Sequence, residues 1–431
     1  MLGVNYHSVN LFLINIDDLQ AGYFRLKMII MKYAGSFIIA FILLLFVQIS
    51  QAQEKQFNHG KRVVIIMMDG FGMSYFNNAP MPHLKTLIAK GFFKQVNALM
   101  PTVTNANNTS ICTGTFPEVN GISGNFFLND KGEEEYMEDK HLVLAPTIFQ
   151  KLKAYGIKSA LISSKKKSTT LLPEGADIVV SPETADTSWT NKIGTPASIY
   201  SAEVNYWSLK AGIYLLKNRQ DIRCIYIHTT DYPMHTWAPA DSNSIRHLAN
   251  IDNLIGQINE AAPDAAILIT ADHDVNHKSR CVDVMKALKL QQVDIKLALS
   301  PEKDKYVKHH RGFGGASYVY LNKNSDLPPV RNALYKIKGV ETVLTRAEAA
   351  KKYHLPPARI GDLIVLGDST TVFGDLESRP EEDLPATYRS HGSVYEIKVP
   401  LIILNAGKLP PPSYFNYNKD LAGWLTDGKY Q

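Results

Sequence analysis

Arg62–Gly72 reads RVVIIMMDGFG. Its apolar run, unbroken from Val63 to Met68, leaves no face for water, so Arg62–Met68 is expected to be a strand covered on both sides. The run stops on Asp69, and glycines at 70 and 72 let backbone come close to a ligand. Taken alone, Asp69 is either a turn residue or a functional carboxylate delivered at the end of a strand, as open α/β sheets deliver theirs.

The same pattern recurs along the chain. Lys158–Ser163, Cys224–His228 and Ala265–Thr270 read as buried strands, and Pro82–Lys90, Ala145–Tyr155, Ala197–Lys217 and Ser242–Glu260 carry helical spacing between them. Strands rich in Val, Ile and Leu alternating with helices predict an α/β fold, a mainly parallel sheet flanked by helices on both faces. The stretch before the strand Leu363–Leu366 contains ASYVYLN and VETVLTRAEAAKKYHLPP and reads as an inserted α+β cap subdomain standing over the site. The expected division is a catalytic core of 53–273 and 361–431 with a cap of 274–360.

Polar residues gather where the apolar runs stop. Besides Asp69 they are Thr104 in PTVTNANN, Asp231 and His235 in TTDYPMH, Asp272 and His273 in ITADHD, and His391 in RSHG. Asp231 and His235 lie four apart, so one helical turn presents an oxygen and an imidazole to the same point. Each fragment alone has an ordinary structural explanation. Together they make three Asp, three His and one hydroxyl, a complete ligand set for two zinc ions and the mark of a metal-dependent hydrolase. Three ionised Asp and a Thr alkoxide would balance two divalent ions, and oxygen and nitrogen donors without thiolate suit zinc, with manganese or iron left open. Thr104 precedes a helical start, NNTSICTG, where free N–H groups favour an anion, which makes it the candidate nucleophile. The alternative is that Thr104 or Thr102 only caps that helix.

Composition limits the partners. The 431 residues are 45% hydrophobic and 20% charged, ordinary for a globular protein. The formal charge of +5 is spread out except for one short lysine run, which argues against a nucleic-acid polymer and leaves anionic small molecules as plausible partners. A homodimer is compatible with this composition. Lys32, the apolar stretch Phe37–Val47 and the small residues before Ala52 read as a signal peptide, 1–52, with Met31 an alternative start. Cleavage after Ala52 would give a periplasmic or secreted protein with no membrane segment; the alternative is an uncleaved membrane anchor, for which the apolar stretch is short. Cys112, Cys224 and Cys281 are odd in number and do not form a disulfide framework.

The order Asp, Thr, Asp-x-x-x-His, Asp-His, His resembles the alkaline phosphatase superfamily, in particular its nucleotide pyrophosphatase/phosphodiesterase branch. Within it, TVTNANNTSICTG, GISGNFF, LISSKKK, TTDYPMH and ITADHD are similar to the phosphonoacetate hydrolases, zinc enzymes that split a carbon–phosphorus bond. The similarity runs from about Arg62 to Asn405. It implies that Asp231, His235 and His391 hold one zinc and Asp69, Thr104, Asp272 and His273 the other. It also implies that Asn125 binds a phosphoryl oxygen, while Lys165 and Lys167 grip the substrate carboxylate. Lys166 departs from the family, where an acidic residue is expected between the two lysines. The resemblance implies a small anionic phosphonate or phosphate-ester substrate, with a phosphodiesterase using the same zincs as the alternative activity. A phosphonate- or phosphate-binding protein, which needs no nucleophile, is the alternative of another class.

Overall fold

The structure is a computed structural model and describes residues 60–308 and 310–427, with scattered helical residues between 23 and 45. Residues 1–54 and 55–431 form separate units. The expected signal peptide falls almost wholly outside the described residues. Among the described residues no helix is long and apolar enough to cross a membrane.

The opening stretch forms strand β1, Val63–Met67, with all five side chains buried. It lies in a seven-stranded sheet with β2 (Phe92–Asn97), β3 (Lys158–Ser163), β4 (Ile178–Val180), β5 (Ile222–His228), β6 (Ala266–Thr270) and β7 (Lys398–Leu404). The spatial order is β2-β7-β6-β1-β5-β3-β4. β1 pairs in parallel with both β5 and β6, β3 pairs in parallel with β4 and β5, and only β7 runs against its neighbours. Met67 lies opposite both His228 and Thr270, so β1, β5 and β6 end level with one another. The chain leaves β1 for one side of the sheet and later returns to the other, which opens a crevice at the carboxyl ends of these strands.

Five helices matter below: α1 (Thr104–Thr113), α2 (Lys166–Leu171), α3 (Glu203–Asn218), α4 (Tyr232–Thr236) and α5 (Ser242–Ala261). In α5 the buried Leu248, Ile251, Ile255 and Ile258 recur every three or four residues, a stripe turned into the core and packed in part on α3. Asp241 caps it by accepting a bond from the Asn243 N–H at 2.7 Å. The helix expected from Ala197 begins only at Glu203, with Ala202 as its N-cap.

A second, four-stranded sheet runs Leu297–Leu299, Ala316–Tyr320, Leu363–Gly367, Val340–Thr345, all neighbours antiparallel. The expected boundary at 360/361 therefore cuts this sheet, because Leu363–Gly367 pairs within it and not with the core sheet. An apolar run identifies a buried strand, but it carries no record of which sheet buries it.

Candidate active site

The site begins with tight turns. Gly70 has φ of 71°, and a Cβ on Gly72 would stand 2.2 Å from the Asp274 Cβ, so the chain after Asp69 passes where only glycine fits. Thr104 opens α1, but the N-cap is Val103 and no side chain caps the helix, so Thr104 and Thr102 do not fill the capping role. Asn107 pins the preceding turn, accepting from the Leu99 N–H at 2.7 Å and donating to the Leu99 carbonyl at 3.0 Å. The Thr104 hydroxyl then lies 3.5 Å from His273 Nε2. The Asn105 N–H donates to Asn125 Oδ1 at 3.1 Å, fixing the Asn125 amide over the helix start.

All seven residues expected to hold metal are buried and drawn to one place. Ligand atoms of Asp69, Asp272 and His273 lie within 4.8 Å of one another, as do those of Asp231, His273 and His391. His235 Nε2 is 2.9 Å from Asp231 Oδ2 across the first turn of α4. The imidazoles share an orientation. Nδ1 of His235 faces the Arg389 carbonyl at 2.7 Å, that of His273 the Asp274 carbonyl at 3.0 Å, and that of His391 the Thr102 carbonyl at 2.7 Å. With Nδ1–H donated to a carbonyl, each ring turns Nε2 into the crevice, the posture of a metal-binding histidine.

Several of these atoms have no hydrogen-bond partner. Asp69 Oδ1, Asp272 Oδ2 and His391 Nε2 are buried and make no hydrogen bond, although Asp272 Oδ2 faces His273 Nε2 at 3.3 Å and His391 Nε2 faces Asp231 Oδ2 at 3.5 Å, a costly arrangement that a cation would relieve. The electrostatics agree. Burial, then the Asp69 charge, push the Asp272 carboxyl well above the usual carboxylate range. Burial and Asp231 push Asp69 the same way, but Lys165 and His228 outweigh them and hold it low. Burial lowers His391, yet Glu302 and Asp231 lift it to about 9, so this position draws positive charge. The donor set and its orphaned atoms therefore fit divalent metal.

Lys165 and Lys167, just after β3, are buried in the site, whereas Lys166 between them is exposed. Lys165 Nζ is 2.8 Å from Asp69 Oδ2 and donates to Asp231 Oδ1 at 2.7 Å, so it stands between carboxylates of both expected metal positions. Lys167 Nζ is paired with Asp304.

Four further residues were not anticipated from the sequence. His228, the last residue of β5, approaches Asp69 Oδ2 at 3.3 Å through Nε2 while its Nδ1 meets Ser163 Oγ at 3.0 Å. A histidine closing an apolar strand is a readable signal. Glu302, Asp304 and His310 come from the connection between Leu297–Leu299 and Ala316–Tyr320, where no local pattern marks them. Glu302 Oε1 lies 3.1 Å from His310 Nε2 and 3.4 Å from His391 Nε2. His310 differs from the other rings, because its Nδ1 accepts from the Gly312 N–H at 3.1 Å, which leaves Nε2 the proton and a donor's part toward Glu302.

Residues 63–393 match the family model for type I phosphodiesterase / nucleotide pyrophosphatase. Among solved structures, the chain is similar to phosphonoacetate hydrolase from Sinorhizobium meliloti 1021 in complex with phosphonoformate, at 30% identity and a TM-score of 0.76 over 85% of this chain and 95% of that one. It shares the fold of murine ectonucleotide pyrophosphatase / phosphodiesterase 5, at 15% identity and a TM-score of 0.63 over 85% and 94% of the two chains. A bis(5'-adenosyl)-triphosphatase of Pongo abelii is 23% identical over 233 residues, 51% of this chain and 48% of that protein. The chain thus spans about half the length of the curated relatives it matches.

Proposed function

The chain belongs to the type I phosphodiesterase / nucleotide pyrophosphatase family of the alkaline phosphatase superfamily and is a hydrolase, and from that premise we propose that it is an exported di-zinc phosphonoacetate hydrolase, releasing acetate and phosphate. The observation that carries the substrate is Lys167, a buried ammonium beside the ligand cluster that meets none of the seven expected ligands. A second cation of this kind suits a substrate with a carboxylate beyond its phosphoryl group.

Asp231, His235 and His391 would hold one ion, and Asp69, Thr104, Asp272 and His273 the other. When bound, the ions supply positive charge that acidifies a hydroxyl and offsets phosphoryl oxygens. Thr104 gives up its hydroxyl proton to solvent and attacks phosphorus, its Oγ1–P bond forming as the C–P bond breaks. The electron pair leaves with carbon and is delocalised into the carboxylate as an enolate, which Lys165 and Lys167 stabilise. Asn125 holds a phosphoryl oxygen. The enolate takes a proton to become acetate, and water cleaves the phosphothreonine to phosphate and free Thr104.

The second reading, a phosphodiesterase, is favoured by the family model and by the pairing of Lys167 with Asp304. Phosphate release from phosphonoacetate, run beside an aryl phosphodiester, separates the two. Lys167→Ala is a cleaner probe than Lys165→Ala, because Lys165 also touches Asp69 and Asp231. The proposal expects phosphonoacetate turnover whose kcat/KM falls roughly 10- to 100-fold in Lys167→Ala, the loss of one charge-assisted contact to the developing enolate. Preference for the diester with no response to that substitution would move the protein to the phosphodiesterases.

A further inference from the structure

The segment Pro301–Lys308 enters the site from the second sheet's side with its side chains alternating. Glu302 and Asp304 point inward and are 1% and 4% exposed, whereas Lys303 is half-buried and Lys305 is exposed. The inward carboxylates meet two groups that the proposed function reserves for substrate. Asn125 Nδ2, assigned to a phosphoryl oxygen, donates to Glu302 Oε1 at 3.4 Å. Glu302 Oε2 is buried without a hydrogen-bond partner. Lys167, assigned to the substrate carboxylate, is paired with Asp304.

Resting on that reading of the site, we propose that Glu302 and Asp304 are specificity-determining residues on a pseudosubstrate strap. Glu302 occupies the phosphoryl seat and Asp304 the carboxylate seat, and the strap yields to a small anion that brings both groups. With Lys167 and Asp304 both out of water, a substrate carboxylate reaching Lys167 competes with Asp304 for it. A ligand with one anionic group displaces only half of the strap. The strap's outward lysines make only surface pairs screened by water, Lys303 with Glu134 at 3.3 Å and Asp375 at 3.4 Å and Lys305 with Glu138 at 2.6 Å, while its first residue is anchored by the Asn125 N–H donated to the Pro301 carbonyl at 2.7 Å. Another tie is the Tyr306 hydroxyl, which donates to Glu183 Oε1 at 2.8 Å, the same oxygen that accepts the Lys166 N–H at 2.7 Å. Glu183 thereby links the strap to the first turn of α2.

Calorimetric titration of the metal-loaded chain with phosphonoformate, which carries phosphonate and carboxylate, and with orthophosphate, which carries no carboxylate, tests this. Removing a competitor that fills a seat most of the time raises apparent affinity by the inverse of the open fraction. Asp304→Asn is expected to tighten phosphonoformate about tenfold and orthophosphate by less than about threefold, while Glu302→Gln tightens both. Unchanged or weaker phosphonoformate binding in Asp304→Asn would overturn the proposal. So would loss of metal and of orthophosphate binding in Glu302→Gln, which would make Glu302 a ligand. Should a variant not fold, the wild-type chain decides: saturating phosphonoformate should speed tryptic cleavage after Lys303, Lys305 and Lys308, and protection there would reject the strap. Failure of wild type to turn over phosphonoacetate would instead refute the substrate reading, and these binding and cleavage tests would still stand.

Discussion

Thr104 is the first residue of its helix and caps nothing, so its hydroxyl has no structural duty to keep it there. Thr104→Ala should therefore fold with little change in the Tm of the metal-free chain and lose roughly 10³-fold or more in phosphate release, as removal of a nucleophile does. Undiminished turnover in that variant would sink the nucleophile assignment. His228 makes a complementary case. Burial keeps it below the usual histidine range, so it is neutral, and its Nε2–H steadies Asp69 Oδ2 while Nδ1 accepts. Losing such a support to a ligand carboxylate costs about 10- to 100-fold in metal affinity. For His228→Gln, chelator competition should register a loss of that size, and wild-type affinity would reduce His228 to packing. At this scale the sequence was informative wherever a polar residue ended an apolar run, since strand ends are where a parallel sheet presents its chemistry. Asp69, Asp231 and Asp272 were legible for that reason. Glu302 and Asp304 were not, because their proximity to Asn125 and Lys167 depends on how a loop from another sheet descends, and sequence spacing does not encode that descent.

Helix α5 lies against α3, and the contact holds a buried histidine. His247 Nδ1 meets the Tyr206 hydroxyl of α3 at 3.0 Å, and burial lowers its pKa to about 3. Its folded pKa is thus below the unfolded value of about 6.5, so the unfolded chain binds the extra proton first. The stability linked to this group is present above about pH 6.5 and is lost as pH falls toward about 3, at up to roughly 1.4 kcal/mol per pH unit. Urea unfolding between pH 7 and pH 4 should show a shallower fall in His247→Gln than in wild type; parallel curves would mean that another group controls acid sensitivity. Periodicity placed α5 almost to the residue, expecting Ser242–Glu260 where the helix is Ser242–Ala261, because a one-sided apolar stripe and an Asp cap are local facts. Periodicity was least informative for Leu363–Gly367, buried throughout and therefore the same in pattern whichever sheet it joins.

Across the whole molecule, the site is a concentration of like charge held by the fold. Asp69, Asp231 and Asp272 converge in a buried crevice, Lys165 sits between the first two, and burial with Asp69 drives Asp272 toward its protonated form. An ammonium and a proton thus stand in part where divalent ions would stand. The fold has assembled a binding site that the unfolded chain lacks, so metal affinity becomes folding stability. On the proposed occupancy by two ions, each present at about 100-fold over its dissociation constant would add about 2.7 kcal/mol, or about 5 kcal/mol together. Chelation should accordingly lower Tm by several degrees and abolish phosphate release, and restoring zinc should return both. Lys165→Ala removes the internal substitute, leaving carboxylates that depend wholly on metal for compensation. The drop in Tm on chelation should then be larger in Lys165→Ala than in wild type. Scanning calorimetry of the two proteins, with and without chelator, gives four transition temperatures that decide the matter. Equal drops would mean that Lys165 does not offset the ligand charge, and an unmoved wild-type Tm with activity retained would remove the metal from the mechanism.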